Sequence, residues 1–152
     1  MNSERSFCSF YCGDALYGVP IDRVLEVRID HPVVPVPLSP GTVAGVMNIR
    51  GRIITALDLR ALLHTDQTGR VPGTESLVVN ARHEDIGLLV DRVGDIHELP
   101  PESAHPPPQT LDGPARRYIT SVYRLDHELL CVIDSERLID ESLSHSPGGE
   151  AC

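Results

Sequence analysis

Two aspartates in similar surroundings are the residues of this chain whose type and placement could support acid–base chemistry. Asp22 and Asp91 each precede Arg-Val, and a pair of carboxylates is the usual apparatus of a hydrolase. No nucleophile elbow and no Gly-x4-Gly-Lys phosphate loop accompanies them, and the seven histidines lack metal-ligand spacing. We therefore expect no catalytic residue, no metal and no cofactor, and we keep a small β-barrel hydrolase or ligand-binding protein only as the alternative.

The four cysteines predict free thiols. Cys8 and Cys12 lie on one strand-like segment, where four residues span about 13 Å, beyond the roughly 7 Å that a disulfide tolerates. Cys131 falls within an apolar run, Cys152 is the last residue, and no Cys-x-x-Cys pair is present. Reduced, mostly buried thiols are typical of a cytoplasmic protein.

The turn Asn48–Gly51, between two strand-like segments, is the strongest pointer to a function. Gly51 allows the positive φ that a tight turn needs. Arg50 then projects from a hairpin tip, where a guanidinium can donate paired hydrogen bonds to a partner's carboxylate or carbonyl. An ordinary solvated turn arginine is the alternative. The net charge of −9 and the lack of a basic cluster argue against nucleic acid as the partner.

Short apolar strands dominate the chain. Clusters of β-branched and apolar residues predict strands at 5–12, 15–19, 53–57, 77–81, 86–90 and 129–133. Two short helices are predicted after Asp58 and Asp134, since aspartate is a favourable N-cap residue. The hydrophobic fraction of 41% is that of an ordinary soluble domain, and no apolar run approaches the roughly 20 residues of a membrane span.

The chain carries an internal duplication. Residues 46–58 align with 122–134 at a shift of 76, and residues 18–27 align with 87–96 at a shift of 69. Two matches in the same order predict two copies of one β-rich unit. Several strands are apolar on both faces, so we expect their outer faces to be covered by the sister copy, by a partner or by both.

Three blocks of the sequence resemble the CheW coupling proteins of bacterial chemotaxis. The resemblance runs from about Phe7 to Ile139, and the blocks are Tyr17–Val27, Gly45–Arg60 and Gly87–Ile96. The family is non-enzymatic and bridges the cytoplasmic tip of chemoreceptors to the regulatory domain of the histidine kinase CheA. The resemblance therefore implies a cytoplasmic adaptor in chemotaxis signal transduction, recruited to receptor arrays and not itself inserted into the membrane. A related cascade that controls surface motility or cyclic-nucleotide output is the alternative within this class.

The resemblance also implies the fold. It predicts a mainly β protein of two five-stranded SH3-like β-barrels, packed side by side, with short helices. The single domain would be 1–143, made of subdomains 14–72 and 73–143, with a first strand at 5–12 that the two barrels can share. Residues 144–152 are expected to form a disordered tail.

Two sets of binding residues follow from the match to the family's motifs. The expected receptor-binding residues are Asn48, Ile49, Arg50, Gly51 and Val93. The expected kinase-binding residues are Val24, Glu26, Val27 and Gly45. Of this second set, Val24, Glu26 and Gly45 match positions implicated in either kinase or receptor coupling.

Overall fold

Ten strands occupy most of the chain that the structure describes. It is a computed structural model and covers residues 5–29, 33–36, 43–63, 75–109 and 113–144. The strands are β1 (Arg5–Cys12), β2 (Ala15–Pro20), β3 (Val24–Arg28), β4 (Val43–Ile49), β5 (Arg52–Asp58), β6 (Glu75–Ala81), β7 (Glu84–Val90), β8 (Arg92–Leu99), β9 (Ile119–Arg124) and β10 (Leu129–Ile133). Each predicted strand is present, and the segments between them add β3, β4, β8 and β9.

The two helices are short, and both begin after the predicted aspartates. They are α1 (Leu59–Leu63) and α2 (Ser135–Ser144). Asp58 Oδ1 accepts a hydrogen bond from the amide of Arg60 at 3.0 Å, and Asp134 Oδ1 accepts from the amide of Glu136 at 3.1 Å. These carboxylates satisfy amides that the first helical turn leaves unpaired. Neither helix of the described chain has the length and apolar character that a membrane span requires.

The strands form two five-stranded sheets, as predicted. The first sheet has the order β8-β1-β2-β10-β9 and the second has the order β3-β6-β7-β5-β4. Neighbours are antiparallel except for the central pairs β2/β10 and β5/β7, which are parallel. The two orders become identical when each strand of one copy is replaced by its counterpart in the other, which agrees with the duplication.

The predicted division into 14–72 and 73–143 does not match the sheets. The first hairpin of each copy, β1–β2 or β6–β7, pairs with the last three strands of the other copy. After β2 the chain leaves the first sheet at Pro20, which lacks an amide donor, and passes through the 3₁₀ turn Ile21–Arg23 into the second sheet. The second sheet therefore contains strands from both predicted halves. The strand at 5–12 belongs to the first sheet, and residues 145–152 of the predicted tail lie outside the described residues.

One large apolar cluster lies between the two sheets, and a smaller cluster belongs to each sheet. On β10, Cys131 and Ile133 contribute to the large cluster, whereas Leu130 and Val132 face the smaller cluster of the first sheet. Strands that are apolar on both faces thus bury one face against their own barrel and the other against the sister barrel. The expected covering of both faces is confirmed for Leu130–Ile133 of β10, whereas Ile53 on β5 and Leu129 at the start of β10 stay exposed.

The three cysteines within the described residues, Cys8, Cys12 and Cys131, are buried and free, as predicted. Burial, with a further contribution from the nearby carboxylate of Asp91, raises the pKa of the Cys12 thiol to about 12. A thiol in this state is a poor nucleophile, so these cysteines serve the core.

Asp91 connects the two sheets. Its Oδ2 accepts from the amide of Gly13, in the β1–β2 turn, at 2.7 Å and from Arg60 Nη1, on α1, at 2.5 Å. The side chains of Arg60 and Asp91 are only 19% and 23% exposed, so water screens this pair weakly. The contact fixes the turn of one sheet against the helix that follows the other.

Candidate functional site

The turn predicted to carry recognition has the expected shape. Asn48 Oδ1 accepts from the amide of Gly51 at 3.0 Å, which closes the turn between β4 and β5. Gly51 has a φ of 85°, as predicted, and Arg50 also has a positive φ, of 53°. The Arg50 side chain is 78% exposed. The local sequence thus builds a rigid tip that presents one guanidinium to solvent.

The guanidinium of Arg50 is oriented by Glu26 on β3. Arg50 Nε donates to Glu26 Oε1 at 2.9 Å, and Arg28 Nε lies 3.0 Å from Glu26 Oε2 in an ion pair without hydrogen-bond geometry. The Glu26 side chain is only 16% exposed, so its carboxylate is held by the fold. The arrangement joins a residue of the predicted kinase-binding set to one of the predicted receptor-binding set.

An apolar row flanks this ion pair. Leu25, Val27 and Ile29 alternate along β3 and its end, and they are 53%, 40% and 66% exposed. Glu26 and Arg28 between them are half-buried and point to the other face. An outward row of aliphatic side chains on an edge strand is a typical protein-binding surface. We call Leu25, Val27 and Ile29 the β3 row.

The remaining predicted site residues lie inside the fold or only half exposed. Ile49 is buried in the core of the second sheet, and Val24 packs against the large cluster between the sheets. Gly45 is buried with a φ of 155°, and a Cβ there would overlap the carbonyl of Val34. Ile49 and Gly45 are buried and can only support the binding surface, whereas Val24 is half-buried.

Val93 does not lie beside the Arg50 turn. The parallel register of β5 and β7 pairs Thr55 with Ile86, so the turn lies at the start of β7. Val93 follows the other end of β7, after a strand that spans about 20 Å. It pairs with Phe10 on β1, and its amide donates to Glu75 at 2.7 Å. A partner touching both Arg50 and Val93 would have to extend over the length of this strand.

The structure contradicts the carboxylate-pair alternative. Asp91 is engaged by Arg60 and Gly13 at the junction between the sheets. Asp22 lies in an exposed turn and lines a surface cavity with Arg5 and Arg23. The two aspartates thus lie in different parts of the structure and do not form a carboxylate pair, so the hydrolase interpretation is wrong. Among the described residues there is also no cluster of three or more potential metal ligands.

Two members of the β3 row, Leu25 and Ile29, were not among the predicted binding residues. The alternation of apolar and charged residues over 24–29 is typical of a strand with one apolar face. This pattern does not say whether the apolar face points to solvent or into the fold. Whether Leu25 or Glu26 points outward depends on how β3 pairs with β6, which joins Glu26 to Val78.

Comparison with known proteins agrees with this architecture. A family model for the CheW-like domain matches residues 6–143. The chain is 30% identical over 143 residues to the probable chemotaxis protein CheW of Rhizobium etli, covering 94% of this chain and 92% of that protein. It is also 30% identical over 135 residues to the chemotaxis protein CheW of Klebsiella aerogenes, covering 89% and 81%.

A solved structure shares the fold. The crystal structure of the scaffolding protein TtCheW from Thermoanaerobacter tengcongensis superposes with a TM-score of 0.76 at 24% identity, covering 91% of this chain and 92% of that one. The family model spans nearly the whole chain, and the two paired sheets occupy the same span. This chain therefore belongs to the CheW-like domain family, whose members are adaptors and not enzymes.

Proposed function

We propose that this protein is a chemotaxis adaptor that couples chemoreceptors to a CheA-type histidine kinase. Family membership supports an adaptor, and the relatives of similar length are chemotaxis proteins. The observation that carries the proposal is the Arg50–Glu26 contact, because it places an exposed recognition arginine and an exposed apolar strand on one barrel. Two different surfaces held together by one ion pair suit a protein that binds two partners.

The residues of the turn divide into contact and support. Arg50 contacts the receptor, Asn48 and Gly51 hold the turn closed, and Ile49 anchors it in the core. Glu26 orients Arg50. Val93 is the predicted receptor contact that lies away from this turn, at the opposite end of β7.

The β3 row contacts the regulatory domain of the kinase. Val27 is its predicted member, while Val24 and Gly45 support β3 and β4 from within the fold. The protein would act in the cytoplasm, where it reaches the receptor arrays by binding receptor and kinase. Nothing in this proposal requires insertion into the membrane.

The direct test is assembly of a ternary complex. The purified chain is mixed with the cytoplasmic tip of a chemoreceptor and the regulatory domain of a CheA-type kinase from the same organism, and the mixture is resolved by size-exclusion chromatography with light scattering. We expect all three proteins to elute together. Elution of the chain alone in every pairwise and three-way mixture would contradict the proposed function.

A charge placed in the β3 row should weaken kinase binding. Val27→Asp puts a carboxylate where an aliphatic contact is expected to be desolvated, so we expect the affinity for the kinase regulatory domain to fall about tenfold or more. Leu129→Asp is the matched control, because Leu129 is 43% exposed on the first sheet, close to the 40% of Val27. Isothermal titration calorimetry should show loss for the first variant and near wild-type affinity for the second. Equal affinities for both variants would remove the β3 row from the kinase interface.

A further inference from the structure

The tip of the β6–β7 hairpin has a costly backbone conformation. Arg82 and His83 have φ values of 55° and 64°, both in the left-handed region. Such turns normally carry Gly, which has no Cβ, or Asn or Asp, whose short polar side chains form local hydrogen bonds that offset the cost. The duplicated hairpin β1–β2 closes instead with Gly13, at a φ of 64°, followed by Asp14. The fold therefore does not require an arginine and a histidine at this turn.

The ion pair of Arg82 does not explain these residues either. Arg82 Nη2 donates to Asp140 Oδ2 at 2.7 Å and Nε donates to Oδ1 at 3.2 Å, which docks the tip on α2. The two side chains are 60% and 45% exposed, and exposed pairs contribute little to stability. The pair does fix the direction of a guanidinium that is still largely open to solvent.

This tip lies next to the Arg50 turn. β5 and β7 are parallel neighbours, and counting back from the pair Thr55 and Ile86 brings Arg52 level with His83. Neighbouring strands are about 4.8 Å apart, so the two turns stand side by side at one end of the second sheet. A groove of about 310 Å³ runs between the starts of β5 and β7, and its lining includes Arg52, Ile53, His83 and the two carboxylates of Glu84 and Asp85. Arg82 precedes His83 on the tip and does not line the groove.

Like the Arg50 site, the groove contains an exposed arginine that is held by a mostly buried carboxylate. Arg52 is 62% exposed and is held by Asp85, whose side chain is only 11% exposed, as Glu26 holds Arg50. Ile53, which is 66% exposed, adds an aliphatic contact beside it. The guanidinium of Arg52 and the side chain of Ile53 are both exposed and both border this groove, so a segment that carries a carboxylate and an apolar residue can contact both.

We propose that Arg52, Arg82 and His83 form a second half of the receptor-binding surface and take an acidic segment of the same receptor tip that contacts Arg50. This inference rests on the proposed function. It extends the contact from one turn to two and includes residues that the family resemblance did not assign to binding.

The test replaces the tip by an easier turn. In the double variant Arg82→Gly with His83→Asn, both residues accept a positive φ, so we expect thermal unfolding at or above the wild-type temperature. We expect affinity for the receptor tip to fall about tenfold and affinity for the kinase regulatory domain to stay within about twofold. Arg124→Ala is the control, because it removes one positive charge from an exposed position on β9 of the first sheet.

The outcomes separate this inference from the proposed function. If the wild-type protein binds the receptor tip and the double variant binds it equally well, the inference is wrong and the proposed function stands. An equal loss in Arg124→Ala would show an effect of net charge and would also overturn the inference, as would a loss confined to the kinase. If the wild-type protein does not bind the receptor tip at all, the proposed function is wrong, and the inference that rests on it is wrong as well.

Discussion

Arg50→Glu is expected to lower affinity for the receptor tip by about a hundredfold or more, because an arginine that contacts a partner and is replaced by an acid loses its hydrogen bonds and adds repulsion. The substitution places a second carboxylate beside Glu26, which is mostly buried and cannot move away. The fold should remain intact, since the side chain at position 50 projects into solvent and Arg28 still pairs with Glu26. Surface plasmon resonance against an immobilised receptor tip gives the affinity, and urea unfolding gives the stability.

Two further variants show whether the fork geometry of Arg50 or only its charge is recognised. Arg50→Lys keeps the positive charge beside Glu26 but loses the planar arrangement of donors, so we expect an intermediate loss of about tenfold. Arg124→Glu makes the same charge reversal on the first sheet and should leave the affinity nearly unchanged. Wild-type affinity in Arg50→Glu, or unfolding of that variant, would contradict the assignment of Arg50 as an exposed receptor contact.

The local features of the fold could be read from the sequence because they depend on neighbouring residues. Asp58 and Asp134 predicted the starts of both helices, and Gly51 predicted the positive φ of its turn. The membership of the sheets could not be read in this way. The exchange of hairpins between the two copies depends on which remote strands pair, and two equivalent copies offer alternative pairings with similar apolar patterns.

In the candidate site, too, the features set by neighbouring residues could be predicted and those set by remote contacts could not. Arg50 was predicted to be exposed from its position in a turn, and the structure agrees. The burial of Ile49 follows from strand alternation with Asn48, which the motif-based prediction did not use. The partner of Arg50 could not be predicted, because Glu26 lies 24 residues earlier in the chain and reaches Arg50 only across the folded second sheet.

The role of Gly45 also depends on a remote segment. Residues 33–36 cross beside β4, where the amide of Val34 donates to Val46 O at 2.9 Å and the amide of Val46 donates to Val34 O at 2.8 Å. This crossing brings the chain against Gly45. A Cβ at Gly45 would overlap the Val34 carbonyl oxygen and lie 2.7 Å from its carbon. Gly45 is thus required for a close backbone approach.

Gly45→Ala is therefore expected to be the most destabilising glycine-to-alanine substitution in the β1–β2 and β4–β5 hairpins. The overlap forces residues 33–36 away from β4 and breaks the Val34–Val46 hydrogen bonds, and the φ of 155° is strained for alanine, so we expect a loss of about 3 kcal/mol in the free energy of unfolding. Gly51→Ala is the control: its φ of 85° is also unfavourable, but no atom lies within 4 Å of the new Cβ, so the loss should be about 1 kcal/mol. Urea unfolding measures the stability of both variants.

At temperatures where Gly45→Ala is folded, it should still bind the receptor tip through Arg50. A stable Gly45→Ala protein with selectively lost binding would instead make Gly45 a direct contact.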